Sequence, residues 1–154
     1  MKAEYANPFI KAAVMTFRQD LKVELNRNNI GVRDSPAPTR DISIIIGVTG
    51  AVRGQVVYSM DSNVAYEVAR AMLPGKLPID LKRLTNSAVS ELANIITGQA
   101  SIILAGDKQR IDITPPAVLI GNPVSFDFIS IKSICLTFLS AIGSIEVNIA
   151  LMEE

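Results

Sequence analysis

One long helical stretch constrains this chain more than any other feature. Residues 78–104 contain no proline after Pro78, and their apolar residues recur at helical spacing. Pro74-Gly75 before the stretch and Gly106 after it supply the breaks. The rest of the chain must build something for that helix to lie on. Short runs rich in Ile and Val provide it, at residues 42–48, 54–60, 117–120, 124–131, 133–139 and 144–152. The first two are joined by Gly50-Ala51-Val52-Arg53 and read as a hairpin; Gly143 turns the chain into the last run.

Two more helices are expected. Asn7-Pro8-Phe9 opens one, with Asn7 as its cap and Pro8 at the position where a missing N–H does no harm. Phe9, Ala12, Ala13, Thr16, Phe17 and Leu21 continue it to about residue 20. A polar loop over residues 26–39 follows. Asp61 or Ser62 caps the other helix, whose apolar face is Val64, Ala65, Val68, Ala69 and Met72. Helices and strands in mixed order with hairpin links predict an α+β fold, an antiparallel or mixed sheet with long helices on one face. At 154 residues the chain fits one domain over 1–154.

Composition then narrows the chemistry. Hydrophobic residues make up 49% of the chain and Trp is absent, so aliphatic side chains fill the core. Lys plus Arg number 15 and Asp plus Glu 15, which leaves no basic excess for nucleic acid. Residues 1–17 mix Lys2, Glu4 and Lys11 into their apolar positions, unlike a signal peptide. Unbroken apolar runs are too short to suggest a membrane span. Cys135 is the one cysteine. These points predict a cytoplasmic protein that binds neither nucleic acid nor membrane.

The usual catalytic sets are missing. The chain has no histidine, which removes Ser-His and Cys-His nucleophiles and the commonest zinc ligand. Cys135 sits in an apolar strand run, as an inert core thiol does. Gly47, Gly50 and Gly54 lack the spacing and the following Lys-Ser/Thr of a phosphate loop. Asp61, Asp80, Asp107, Asp112 and Asp127 are too scattered for a metal site, so no metal and no cofactor of the chain's own is expected.

The long helix carries the exception. Ser87, Glu91, Asn94 and Gly98 follow one another at intervals of four, three and four and stack on one face. That face lacks the Lys and Arg of an ordinary solvated stripe. Asn and Gly each cost a helix about 0.5–1 kcal/mol relative to Ala. A close-fitting partner would account for both residues. A plain exposed polar stripe is the alternative, and geometry alone leaves it open.

Four strings in order resemble the CheX branch of the CheC/CheX/FliY family of chemotaxis phosphatases. Ser87-x-x-x-Glu91-x-x-Asn94, continued by Thr97-Gly98, is similar to that family's signature helix. Asp112-Ile113-Thr114-Pro115-Pro116, with Val118 and Gly121, resembles its proline element. Ile45-Ile46-Gly47-Val48-Thr49-Gly50 with Gly54 resembles its first hairpin, and Asn7-Pro8-Phe9 its start. CheC-type members hold two signature helices. Here the second helix offers Glu67 and Arg70 where Glu-x-x-Asn would be needed, so one site per chain is the CheX pattern.

The resemblance implies a phosphatase for a phosphorylated CheY-like response regulator. The regulator supplies its aspartyl phosphate and Mg²⁺. Asn94 would hold the attacking water and Glu91 would pair with a lysine of the regulator, with Ser87, Gly98, Pro115 and Pro116 facing the partner. Such positioning is most of what phosphoryl transfer asks of a protein. The rival readings are a binding module of the same fold that does not hydrolyse, and a purely structural oligomerisation domain.

A homodimer joined through sheet strands is expected as well. Ile129, Ile131, Ile134, Leu136, Phe138, Ile142, Ile145, Val147, Ile149 and Leu151 fall in strand runs defended only by Lys132 and Glu146. CheX-like chains resemble dimers that join their sheets, which points the same way.

Overall fold

The computed structural model describes residues 3–33, 40–107, 109–121 and 132–153. Helix α1 (Ala6–Thr16) runs on through one wider turn, Phe17–Leu21. Strands β1 (Asn26–Arg33), β2 (Ile42–Gly50) and β3 (Val52–Met60) follow, then α2 (Ser62–Met72) and α3 (Pro78–Ala105). The chain ends with β4 (Ile111–Ile113), β5 (Ala117–Ile120), β6 (Ser133–Ser140) and β7 (Gly143–Glu153). The expected α+β fold is the one found: a sheet in the order β1-β6-β7-β3-β2-β4, with β5 also on β2 and every pairing antiparallel.

Alternation makes the sheet two-faced. Ile42, Ile44, Ile46 and Val48 of β2 point to one side together with Val56, Tyr58 and Met60 of β3. Ile134, Leu136 and Phe138 of β6 and Ile145, Val147, Ile149 and Leu151 of β7 extend the same layer. Phe9, Phe17, Val64, Val68, Val89, Leu92 and Ile96 of the helices close over it. Each such large side chain contributes roughly 2 kcal/mol on burial. The β2–β3 hairpin depends on Gly54, whose φ of 154° and tight approach to the Ala150 carbonyl of β7 leave no room for a Cβ.

Several expectations are corrected. Asn7 lies inside α1; Tyr5 is the N-cap residue and makes no side-chain cap. Strand β1 occupies the first part of the expected polar loop. It pairs with β6, and both its faces are exposed over residues 26–30, so no alternation announced it. Asp61 holds the N-cap position of α2, but the carboxylate that does the capping is Asp41, which accepts from the Ser62 N–H at 3.0 Å and hydroxyl at 3.2 Å. Among the described residues, strands β6 and β7 lie inside the sheet and its edges are β1 and β4/β5, not the C-terminal strands. The expected strand over 124–131, with Ile129 and Ile131, lies outside the described residues. By length and composition α3 is apolar enough to cross a membrane, which apolar runs alone did not suggest. Here its inner face packs in the core.

Candidate functional site

Helix α3 is placed by its inner face. Leu81, Ala88, Val89, Leu92, Ala93, Ile96 and Ala100 are buried, and α1 and α2 both pack against it. Its other flank meets β2, β4 and β5 at the sheet edge. At 3.6 residues per turn, Ser87, Glu91, Asn94 and Gly98 fall on the side opposite the buried set. Ser87 and Glu91 are exposed; Asn94 and Gly98 are half-buried. Glu91 and Asn94 are one turn apart, with about 5–6 Å between their Cβ atoms.

Neither side chain is engaged by the described residues. Among the described residues the Glu91 carboxylate and the Asn94 carboxamide have no hydrogen-bond or ion-pair partner. The contrast with α2 is direct. There Glu67, at the position compared with Glu91, is held by Arg70 at 2.8 Å, so that face has no free carboxylate. Gly98 has no internal reason to be glycine, because a Cβ there would meet nothing within 4 Å. What remains is a short, neutral-to-acidic ledge on which a carboxylate, a carboxamide and bare backbone face outward.

The proline element and the first hairpin meet at the sheet edge beside α3. Val48 pairs with Ile113 and Ile45 with Ala117, so Thr114-Pro115-Pro116 bridges β4 and β5 along β2. The Thr114 hydroxyl accepts from the Gly47 N–H at 2.8 Å and donates to the Pro115 carbonyl at 3.2 Å. Pro115 is exposed and Pro116 half-buried. The prolines thus stand on the edge that α3 overlies, while Ser87, Glu91, Asn94 and Gly98 stand on α3 itself. No direct bond joins the two groups.

Two features escaped sequence reasoning. Thr114 was legible only as part of a string, and its role needs a partner 67 residues away. Tyr58 lies fully buried under α3, with its hydroxyl 2.7 Å from that of Thr97. Burial pushes its phenol far above the ordinary tyrosine range, against a smaller opposing effect of Thr97. Cys135 is buried as expected; burial raises its thiol, with Arg33 opposing and Glu146 adding. No cluster of three or more His, Cys, Asp or Glu that could hold a metal occurs among the described residues.

Comparison with known proteins shows what the chain as a whole is similar to. The family model described as "Chemotaxis phosphatase CheX" matches residues 42–139. The CheY-P phosphatase CheX of Thermotoga maritima is 31% identical over 122 residues, 79% of this chain and 79% of its own length. A crystal structure of a CheX-CheY-BeF3-Mg²⁺ complex from Borrelia burgdorferi matches with a TM-score of 0.81 and 28% identity, over 99% of this chain and 100% of that one. A chemotaxis protein CheX from Desulfovibrio desulfuricans shares the fold with a TM-score of 0.84 at 24% identity, over 98% of this chain and 99% of that one.

Proposed function

This chain belongs to the CheX family of chemotaxis phosphatases, and on that premise we propose that it dephosphorylates a CheY-like response regulator through Glu91 and Asn94 of α3. The observation that carries the site assignment is the pair itself: two polar side chains, without a partner among the described residues, one turn apart on the face of α3 opposite its buried side.

The reaction needs little covalent help. The regulator carries the phosphoryl group on an aspartate and holds Mg²⁺ beside it. A water attacks phosphorus, the bond to the aspartyl oxygen breaks, and inorganic phosphate leaves. The Asn94 carbonyl oxygen accepts a hydrogen bond from that water and holds it in line; the amide stays neutral throughout. Glu91, a free carboxylate, pairs with a lysine of the regulator and fixes its register on the helix. Ser87 and Gly98 allow close approach above and below. Pro115 and Pro116 give the partner a rigid shoulder, since a proline pair loses little entropy on contact.

The test is to mix the protein with phosphorylated response regulators from the same cell and time the loss of phosphate, with and without Mg²⁺. Faster loss that needs Mg²⁺, even after the protein alone has been stripped with chelator and exchanged into clean buffer, supports the reading. Tight binding with no acceleration would instead identify the non-hydrolysing module.

A second copy of the chain is part of this proposal. What supports it is β1, an open edge among the described residues, with Ile30 48% and Val32 71% exposed and Arg27 and Arg33 as its charges. Light scattering at micromolar concentration should give twice 16.6 kDa; a mass of 16.6 kDa at every dilution would rule the dimer out.

A further inference from the structure

The inner face of α3 has a polar contact that its packing does not require. Three buried hydroxyls lie on this helix. Thr85 donates back to the Leu81 carbonyl at 2.7 Å, and Ser101 to the Gly98 carbonyl at 2.8 Å. Both bonds stay within the helix and say nothing about where it sits. Thr97 also donates inward, to the Ala93 carbonyl at 2.8 Å. With its proton committed there, its oxygen accepts from the Tyr58 hydroxyl at 2.7 Å. Among the described residues this is the one side-chain hydrogen bond that ties α3 to another element.

Apart from that bond, α3 is held to its neighbours by apolar packing, against Phe17 and Phe138 as well as aliphatic side chains. Ala88, Val89, Leu92, Ala93, Ile96 and Ala100 are small or smooth, and apolar attraction is non-directional. Such a contact tolerates a small rotation or slide of the helix. A buried hydrogen bond does not, because a separated hydroxyl would be left unpaired in the core. Tyr58 and Thr97 are both 0–2% exposed, and the gap beside the Tyr58 ring, about 10 Å³, is at the lower limit of what can hold one water. The two residues bonded through Thr97, Ala93 and Thr97 itself, bracket Asn94 along the helix.

We propose that Tyr58 is a positioning residue for the phosphatase: from the centre of the sheet, through Thr97, it fixes the rotation and axial setting of α3, and so where Asn94 holds its water. The inference rests on the assignment of Asn94 above. It explains why a tyrosine hydroxyl and a threonine are paired at a place where phenylalanine and valine would fill the same space.

Steady-state dephosphorylation of a phosphorylated CheY-type regulator decides it, using the full chain and Tyr58→Phe, Thr97→Val, Thr97→Ser, the Tyr58→Phe/Thr97→Val pair, and Asn94→Ala. Assays run well below each variant's melting temperature, which circular dichroism supplies. Tyr58→Phe and Thr97→Val should each lower kcat about tenfold with KM within about twofold, since small misplacements of a reacting group carry penalties of this size. Thr97→Ser keeps the hydroxyl and should stay within about twofold of wild type. The double variant should be no slower than either single one, because the two hydroxyls act as one bond. Wild-type kcat in both single variants overturns the proposal, and so does a loss in Thr97→Ser equal to that in Thr97→Val, or multiplied losses in the double variant. If Tyr58→Phe does not fold, Thr97→Val against Thr97→Ser decides alone. Asn94→Ala separates the two levels: active Asn94→Ala overturns the site assignment and this inference with it, while inactive Asn94→Ala beside fully active Tyr58→Phe and Thr97→Val overturns this inference only.

Discussion

The Thr114 hydroxyl accepts the Gly47 N–H at 2.8 Å while the Thr114 N–H returns to the Gly47 carbonyl at 2.9 Å. One residue thereby closes both hydrogen bonds of a mid-strand glycine on β2. It sits between β4 and β5, where a continuous edge strand would otherwise pair, and lets Pro115-Pro116 leave the ladder without orphaning the Gly47 amide. Prolines cannot donate to a strand partner; the Thr114 N–H supplies that donor to the Gly47 carbonyl, and the Thr114 hydroxyl supplies the acceptor for the Gly47 N–H.

Removing that hydroxyl should therefore loosen the sheet edge. Thr114→Val keeps the shape and should cost about 1 kcal/mol, near the centre for a single neutral hydrogen bond. Thr114→Ser should lose far less. Urea unfolding of the three proteins measures the difference. Valine and wild-type midpoints that coincide would show that the bond holds nothing.

The site variants make a second prediction. Glu91→Ala and Asn94→Ala should each remove most phosphatase activity and leave stability within about 0.5 kcal/mol, as for surface positions without internal partners. Their signatures should differ. Asn94→Ala lowers kcat, because it takes away the group that holds the water. Glu91→Ala mainly raises KM, because it takes away a contact to the partner. A double variant that works at the wild-type rate would refute the assignment.

Gly98 gives a prediction in which stability and activity move in opposite directions. Among the described residues a Cβ at this position meets nothing within 4 Å. Gly98→Ala should thus stabilise the protein by about 0.5–1 kcal/mol, the usual helix gain over glycine. If a partner comes close to the backbone here, the same methyl group should weaken phosphatase activity several-fold through KM. Thermal melts and steady-state assays on one preparation test both halves. Higher stability with unchanged KM would leave Gly98 outside the interface.

How much of this was legible in the sequence follows from how local each signal is. The ends of α3 were readable because Pro78 and Gly106 act on their own turns, the latter at φ 58° past the last helical residue. Glu91 and Asn94 were readable for the same reason, since three residues on a helix settle which face they share. Strand β1 was not: Asn26, Arg27, Asn28 and Asn29 are exposed on both faces, and pairing with β6 over 100 residues later makes them a strand. The cap of α2 comes from Asp41, 21 residues upstream of Ser62, where no local rule would look. The Tyr58–Thr97 bond spans 39 residues and depends on which strand lies under the helix, which a hydropathy pattern does not encode.

The last prediction concerns alkaline pH. Tyr58 is fully buried, and burial is the main reason its phenol titrates far above the ordinary value near 10. The sign follows from linkage. Well below pH 10, under about pH 9, neither the folded nor the unfolded chain ionises this tyrosine appreciably, and it adds no pH dependence. Above that, the unfolded chain releases the proton while the folded chain keeps it, so ionisation favours unfolding and stability falls as pH rises. In an alkaline titration followed by phenolate absorbance, one of the three tyrosines should therefore ionise late and together with loss of near-ultraviolet circular dichroism. Tyr58→Phe should delete that late phase and flatten the fall of stability between about pH 10 and 11.5. A late phase that survives in Tyr58→Phe would assign it to another tyrosine and show that the Tyr58 hydroxyl is not sealed beneath α3.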